Sequence, residues 1–98
     1  MAESKPALWI SHVTVSDAAG YAEYARRAGA AIAAHGGAFV ARGGAHATLE
    51  GVERERHVVI RFPSMAAAEA CYRSPAYQEA LGFARDASER QLVIVETL

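Results

Sequence analysis

The sequence has 98 residues, 52% of them hydrophobic and 21% charged, with a net charge of −1 and a single cysteine. This is one domain of ordinary globular composition, which excludes a disordered chain, and the near-zero charge excludes the long basic footprint of a nucleic-acid binder. One cysteine excludes an internal disulfide and a thiolate zinc cluster, and no apolar run approaches the ~20 residues of a membrane span.

Met1–Pro6 is polar and lacks the basic-then-apolar pattern of a secretion signal, so the expected location is cytoplasmic. Leu8–Val15 reads as the first strand, rich in β-branched and aromatic residues. Its faces are Leu8, Ile10, His12, Thr14 and Trp9, Ser11, Val13, Val15. Ser16 or Asp17 then offers a side-chain oxygen to cap a helix from about Ala18 to His35. Tyr21, Tyr24, Ala25, Ala28 and Ile32 form that helix's apolar stripe, and Gly36-Gly37 ends it. Ala38–Arg42 reads as a second strand, with a bulge or bend at Gly43-Gly44 and the strand resuming around His46 to Leu49. A polar turn leads to a third strand, His57–Phe62, closed by Pro63. Ser64 caps a short helix to about Tyr72, and Ser74-Pro75 opens another, buried through Tyr77, Leu81 and Ala84. Arg85 and Glu89 are spaced to pair if that helix reaches them. Gln91–Glu96 is the fourth strand.

The order is β-α-β-β-α-β with the second helix in two pieces, which is the ferredoxin-like arrangement of α+β class. It predicts a four-stranded antiparallel sheet, helices on one face, and the first strand between the third and fourth. Val58, Ile60 and Phe62 make one face of the third strand apolar, suited to packing under the helices. His57, Val59 and Arg61 make the other face mixed, suited to a homodimer in which two sheets meet.

Specific strings add to this reading. They are Trp9-Ile10-Ser11-His12-Val13-Thr14-Val15-Ser16-Asp17, His35-Gly36-Gly37-Ala38-Phe39-Val40-Ala41-Arg42-Gly43-Gly44, Val58-Val59-Ile60-Arg61-Phe62-Pro63-Ser64 and Cys71-Tyr72-Arg73-Ser74-Pro75-Ala76-Tyr77-Gln78. With Leu92–Glu96, they closely resemble the small bacterial proteins of the domain of unknown function 1330 family. The resemblance covers about Leu8 to Glu96. It implies a dimeric α+β barrel, in a superfamily that includes cofactor-free monooxygenases and muconolactone isomerases. It implies no particular reaction, since one fold hosts many. Arg61 stands where the family often has an acidic residue, and Val95-Glu96-Thr97 where it usually ends Val-Glu-Gly.

Several residues could carry chemistry. His12, Arg61 and Glu96 could converge across neighbouring strands, His12 as base or hydrogen-bond donor and Arg61 holding an anionic substrate. The same three could instead be a polar network inside a dimer interface. Tyr24 and Tyr72 could line an aromatic pocket with Trp9 and Phe62, or simply belong to the helix–sheet core. Arg42 beside Gly43-Gly44 could help hold a carboxylate, or mark a bulge. The histidines at 12, 35, 46 and 57 show no metal-site spacing, and no Gly-rich phosphate loop is present, so neither metal nor cofactor is expected. Cys71 reads as a small buried hydrophobe. Two functions remain open: a binder or enzyme for a small anionic or phenolic compound, and a non-catalytic interaction module whose polar sheet face serves dimerisation.

Overall fold

The computed structural model describes residues 5–98, so most of the polar N-terminal segment lies outside the described residues. Strand β1 (Ala7–Val15) leads into helix α1 (Ala18–Ala34), strand β2 (Ala38–Arg42) and strand β3 (Arg56–Phe62). Helices α2 (Met65–Arg73) and α3 (Pro75–Arg85) and strand β4 (Ser88–Glu96) complete the chain. The sheet order is β2-β3-β1-β4, with every neighbouring pair antiparallel. The split second helix and the central place of β1 agree with the sequence reading.

Helix boundaries follow local chemistry. The Asp17 carboxylate accepts from the Gly20 N–H at 3.3 Å, and Ser64 and Ser74 cap α2 and α3 in the same way. Pro75 takes the first turn of α3, where no N–H is needed. Gly36 leaves α1 at φ +80, a conformation that strains any residue with a Cβ.

The strands bury alternate residues. Ala7, Trp9, Ser11 and Val13 of β1 and Val58, Ile60 and Phe62 of β3 face the helices. Against them pack Tyr21, Tyr24, Ala28, Ala31 and Ile32 of α1, Ala68 and Cys71 of α2, and Tyr77, Ala80, Leu81 and Ala84 of α3. Trp9 sits at the centre, 5.5 Å from the Phe62 ring and 5.1 Å from Tyr77. Ala25, expected in the buried stripe, is exposed, while Ala31 takes a core place.

The other sheet face has no helix over it among the described residues. It carries an apolar patch of Val59, Ile10 and Val93 beside Leu8 and Val95, with Val93 53% and Val95 46% exposed. The next row is polar: His57, His12 and Gln91.

One local expectation holds in one of its two forms, and two are corrected. The chain bends at Gly43, with φ +69, while the bulge itself falls between Phe39 and Ala41. No strand resumes at His46–Leu49, because β3 already pairs with β2 from Val58 to Arg61 and residues 43–55 form a loop. Helix α3 stops at Arg85, so Glu89 lies on β4 and pairs with Arg54 at 3.2 Å. Among the described residues, no helix is long and apolar enough to cross a membrane.

Candidate functional site

A cavity of about 310 Å³ lies between α1 and the β2–β3 side of the sheet. Its walls are aromatic and aliphatic: Trp9, Tyr21, Tyr24, Phe39, Ile32 and Ile60. Ser11, the one buried polar side chain of the described core, opens onto it from the floor. Three guanidinium-bearing residues, Arg26, Arg42 and Arg56, complete the lining, and among the described residues no carboxylate does. Its size and mostly apolar wall fit a small organic molecule.

The arginines reach it by different routes. Arg42 ends β2 opposite Val58, on the helix-facing side, and its guanidinium lies 4.2 Å from the Phe39 ring centre. Arg56 begins β3 opposite Val13, 5.6 Å from the Tyr21 ring. A Cβ on Gly43 would collide with the Arg56 guanidinium, so glycine both permits the turn and leaves room for the side chain. Arg26 is held by Glu23 on its own helix. Neither Arg42 nor Arg56 has a carboxylate partner among the described residues, and the Arg56 Nε is buried with no hydrogen-bond partner there. The half-buried Arg56, with its orphaned Nε, and the exposed Arg42 both favour an incoming anion, which supplies the missing charge and acceptors.

Behind the cavity, Tyr24 and Tyr77 share a 2.8 Å hydroxyl–hydroxyl hydrogen bond. Arg90 donates to the Tyr24 oxygen at 2.9 Å and the Tyr77 oxygen at 3.3 Å. Burial, then the neighbouring Tyr77, raises the Tyr24 phenol well above its ordinary range, so it stays protonated at neutral pH. Its hydroxyl is engaged in this network, and its ring faces the cavity as a wall.

On the opposite sheet face, His12 and His57 are cross-strand partners, their Nδ1 atoms 2.8 Å apart. One ring donates and the other accepts. The 43–55 loop curls over them and brings His46 to 4.3 Å from the His57 ring centre. His46 Nε2 lies 2.8 Å from a Glu53 oxygen. Hydrogen bonds from His46 and Thr48 hold the Glu53 carboxyl below its ordinary range. This second, more open cavity measures about 690 Å³.

The sequence-predicted residues therefore do not form one site. His12 and Arg61 share the outer face, but Arg61 is opposite Leu8 while His12 is opposite His57. Four residues of strand separate the two rows, about 13 Å. Glu96 is opposite Ala7, which faces the helices, so it is on the other side of the sheet from His12. The expected His12–Arg61–Glu96 convergence does not occur. Tyr24 and Arg42 do meet, in the inner cavity. Tyr72 packs against Trp9 at 5.9 Å and lines clefts on the β4 side, and Phe62 is fully buried. Arg56, Tyr77 and Arg90 were missed as site residues. The excess of arginine over lysine was the one sequence signal for the two arginines, and it does not say which arginines reach a cavity. Three of the four histidines, unpromising by spacing, are gathered by the fold instead: His12, His46 and His57.

An antiparallel sheet covered on one side, with an arginine-bearing cavity under its first helix, defines a ferredoxin-like α+β protein with a small-molecule-sized pocket. The chain belongs to the family described as domain of unknown function DUF1330, whose model matches residues 6–98. Among solved structures it is similar to RPA0582, a protein of unknown function from Rhodopseudomonas palustris. The two are 24% identical with a TM-score of 0.80, covering 97% of this chain and 84% of that one. It is also similar to SnoaB, a cofactor-independent oxygenase from Streptomyces nogalater, at 18% identity and a TM-score of 0.68, covering 97% and 95%. A dimeric ferredoxin-like protein of unknown function from Bacteroides fragilis matches at 11% identity and a TM-score of 0.64, covering 98% and 100%. At these identities the likeness establishes the fold. No curated protein matches the chain in sequence.

Proposed function

We propose that this protein binds, as substrate or ligand, a small organic anion with an aromatic or phenolic body in the cavity beneath α1. The observation that carries this reading is the lining: among the described residues, four aromatic rings and two arginines without acidic partners, and no carboxylate. Arg42 and Arg56 hold the anionic end, and Trp9, Tyr21, Tyr24 and Phe39 enclose the ring. The cofactor-independent oxygenase SnoaB shares the fold, which supports transformation of the ligand without a cofactor as the enzymatic form of the same reading. His12 lies across the sheet from this cavity, so a base acting here has to be another group or the ligand itself.

The test is thermal shift with aromatic carboxylates and phenols, each beside its uncharged amide or ether. A ligand selective for the folded state at a hundred times its Kd adds about 2.7 kcal/mol. The anions raise Tm, the neutral analogues do not, and Arg42→Met with Arg56→Met removes the rise. Equal shifts from neutral and anionic compounds, or no shift, refute the proposal.

The apolar patch of Leu8, Ile10, Val59, Val93 and Val95 supports a homodimer, with a second copy covering the helix-free face. The Bacteroides fragilis neighbour of the same fold is described as dimeric. A non-catalytic interaction module is the second reading, and this patch is the observation in its favour.

A further inference from the structure

We propose that His46, Glu53 and His57 form a binding site for one divalent transition cation of the Zn²⁺ type, on the sheet face away from the helices. One donor atom from each residue lies within 4.8 Å of the others. Donors around a tetrahedral zinc with bonds of ~2.0–2.1 Å sit about 3.4 Å apart. The required contraction is a small side-chain movement, since His46 and Glu53 are on the exposed 43–55 loop and His57 is fixed on β3. Two imidazoles and one carboxylate select zinc, cobalt or nickel over magnesium and calcium, which prefer an all-oxygen shell.

His57 supplies the strongest argument. Its Nδ1 is engaged by His12, and its Nε2 is buried without a hydrogen-bond partner among the described residues. A cation on Nε2 satisfies that atom. It also fixes the proton on Nδ1, which then donates to the His12 Nδ1. Metal-bound histidines commonly have such an acceptor behind them, and it fixes the tautomer and orients the ring. His12 is thus a positioning residue rather than a ligand. His46 already directs Nε2 at Glu53, so the cation takes the place of the proton the two now share. Arg54 lines the same cavity, but its charge is taken up by Glu89 at 3.2 Å. Three protein ligands leave a fourth position open to water or a small ligand.

The probe is Zn²⁺ alone, titrated by calorimetry into metal-stripped protein, with Co²⁺ as a spectroscopic substitute. One saturable equivalent per chain is expected, with the intense ligand-field absorption of a four-coordinate site. His46→Ala and Glu53→Gln, at exposed positions where folding survives, abolish that equivalent. His35→Ala, whose ring contacts the Ala31 carbonyl at the end of α1, leaves it intact. His12→Leu weakens binding by about 10–100-fold. His12→Gln restores it by giving His57 an amide oxygen to donate to. Absence of a saturable equivalent, or an equivalent that survives both His46→Ala and Glu53→Gln, overturns the proposal.

Discussion

Gly43 connects backbone conformation to the proposed ligand cavity, and replacing it by alanine tests both. Its φ of +69 costs a residue with a Cβ about 1–2 kcal/mol. The new methyl also meets the Arg56 guanidinium, which moves aside because it is the far end of a flexible side chain. The stability loss therefore comes from the backbone, and the loss of ligand binding from the displaced arginine. For a domain of this length each kcal/mol lowers Tm by about 4–8 °C, so Gly43→Ala melts about 4–16 °C below the parent. Gly44 is the internal control. It lacks a positive φ, and a methyl group added there meets nothing within 4 Å, so Gly44→Ala is neutral or stabilising by about 0.4–1 kcal/mol. Thermal melts at one protein concentration, with and without an aromatic carboxylate that binds the parent, read both effects. Melting of Gly43→Ala alongside Gly44→Ala refutes the strain argument. Lower melting with unchanged ligand affinity separates Arg56 from the site.

Two further outcomes follow from the packing. Val93→Glu combined with Val95→Glu puts charges into the helix-free face and converts a dimer to a monomer, read by light scattering; an unchanged mass removes this face from the interface. Burial pushes the Cys71 thiol from 9.0 up to about 11, so native protein resists alkylation at pH 8 while urea-unfolded protein reacts. The raised value also means that stability is fully present below pH 9 and declines as the pH rises towards about 11. Rapid labelling of the native thiol contradicts the burial.

Much of the fold was legible because its signals are local. A capping serine or aspartate acts on an N–H three residues on, and Pro75 or Gly36 acts on its own φ. The alternation in Val58-Val59-Ile60-Arg61-Phe62 identified the buried face of β3, since successive strand residues point to opposite sides. Part of the site was legible for the same reason: Arg42 beside glycines and Tyr24 on the helix stripe both reach the inner cavity. The grouping of His12, Arg61 and Glu96 failed because cross-strand register is not a local property. His12 and Arg61 have the right face and the wrong row, and Glu96 has the wrong face.

Residue order along the chain was enough to establish the element order, the helix ends, the apolar faces and the family resemblance, all of which depend on neighbours within a few residues. Three arrangements come from the packed fold instead: Arg56 enters the aromatic cavity, Arg90 bridges Tyr24 and Tyr77, and a loop folds His46 and Glu53 onto His57. Each of these joins residues from separate elements. Their distances are set by strand register and loop closure, which depend on the free energy of the whole packed chain rather than on spacing along it.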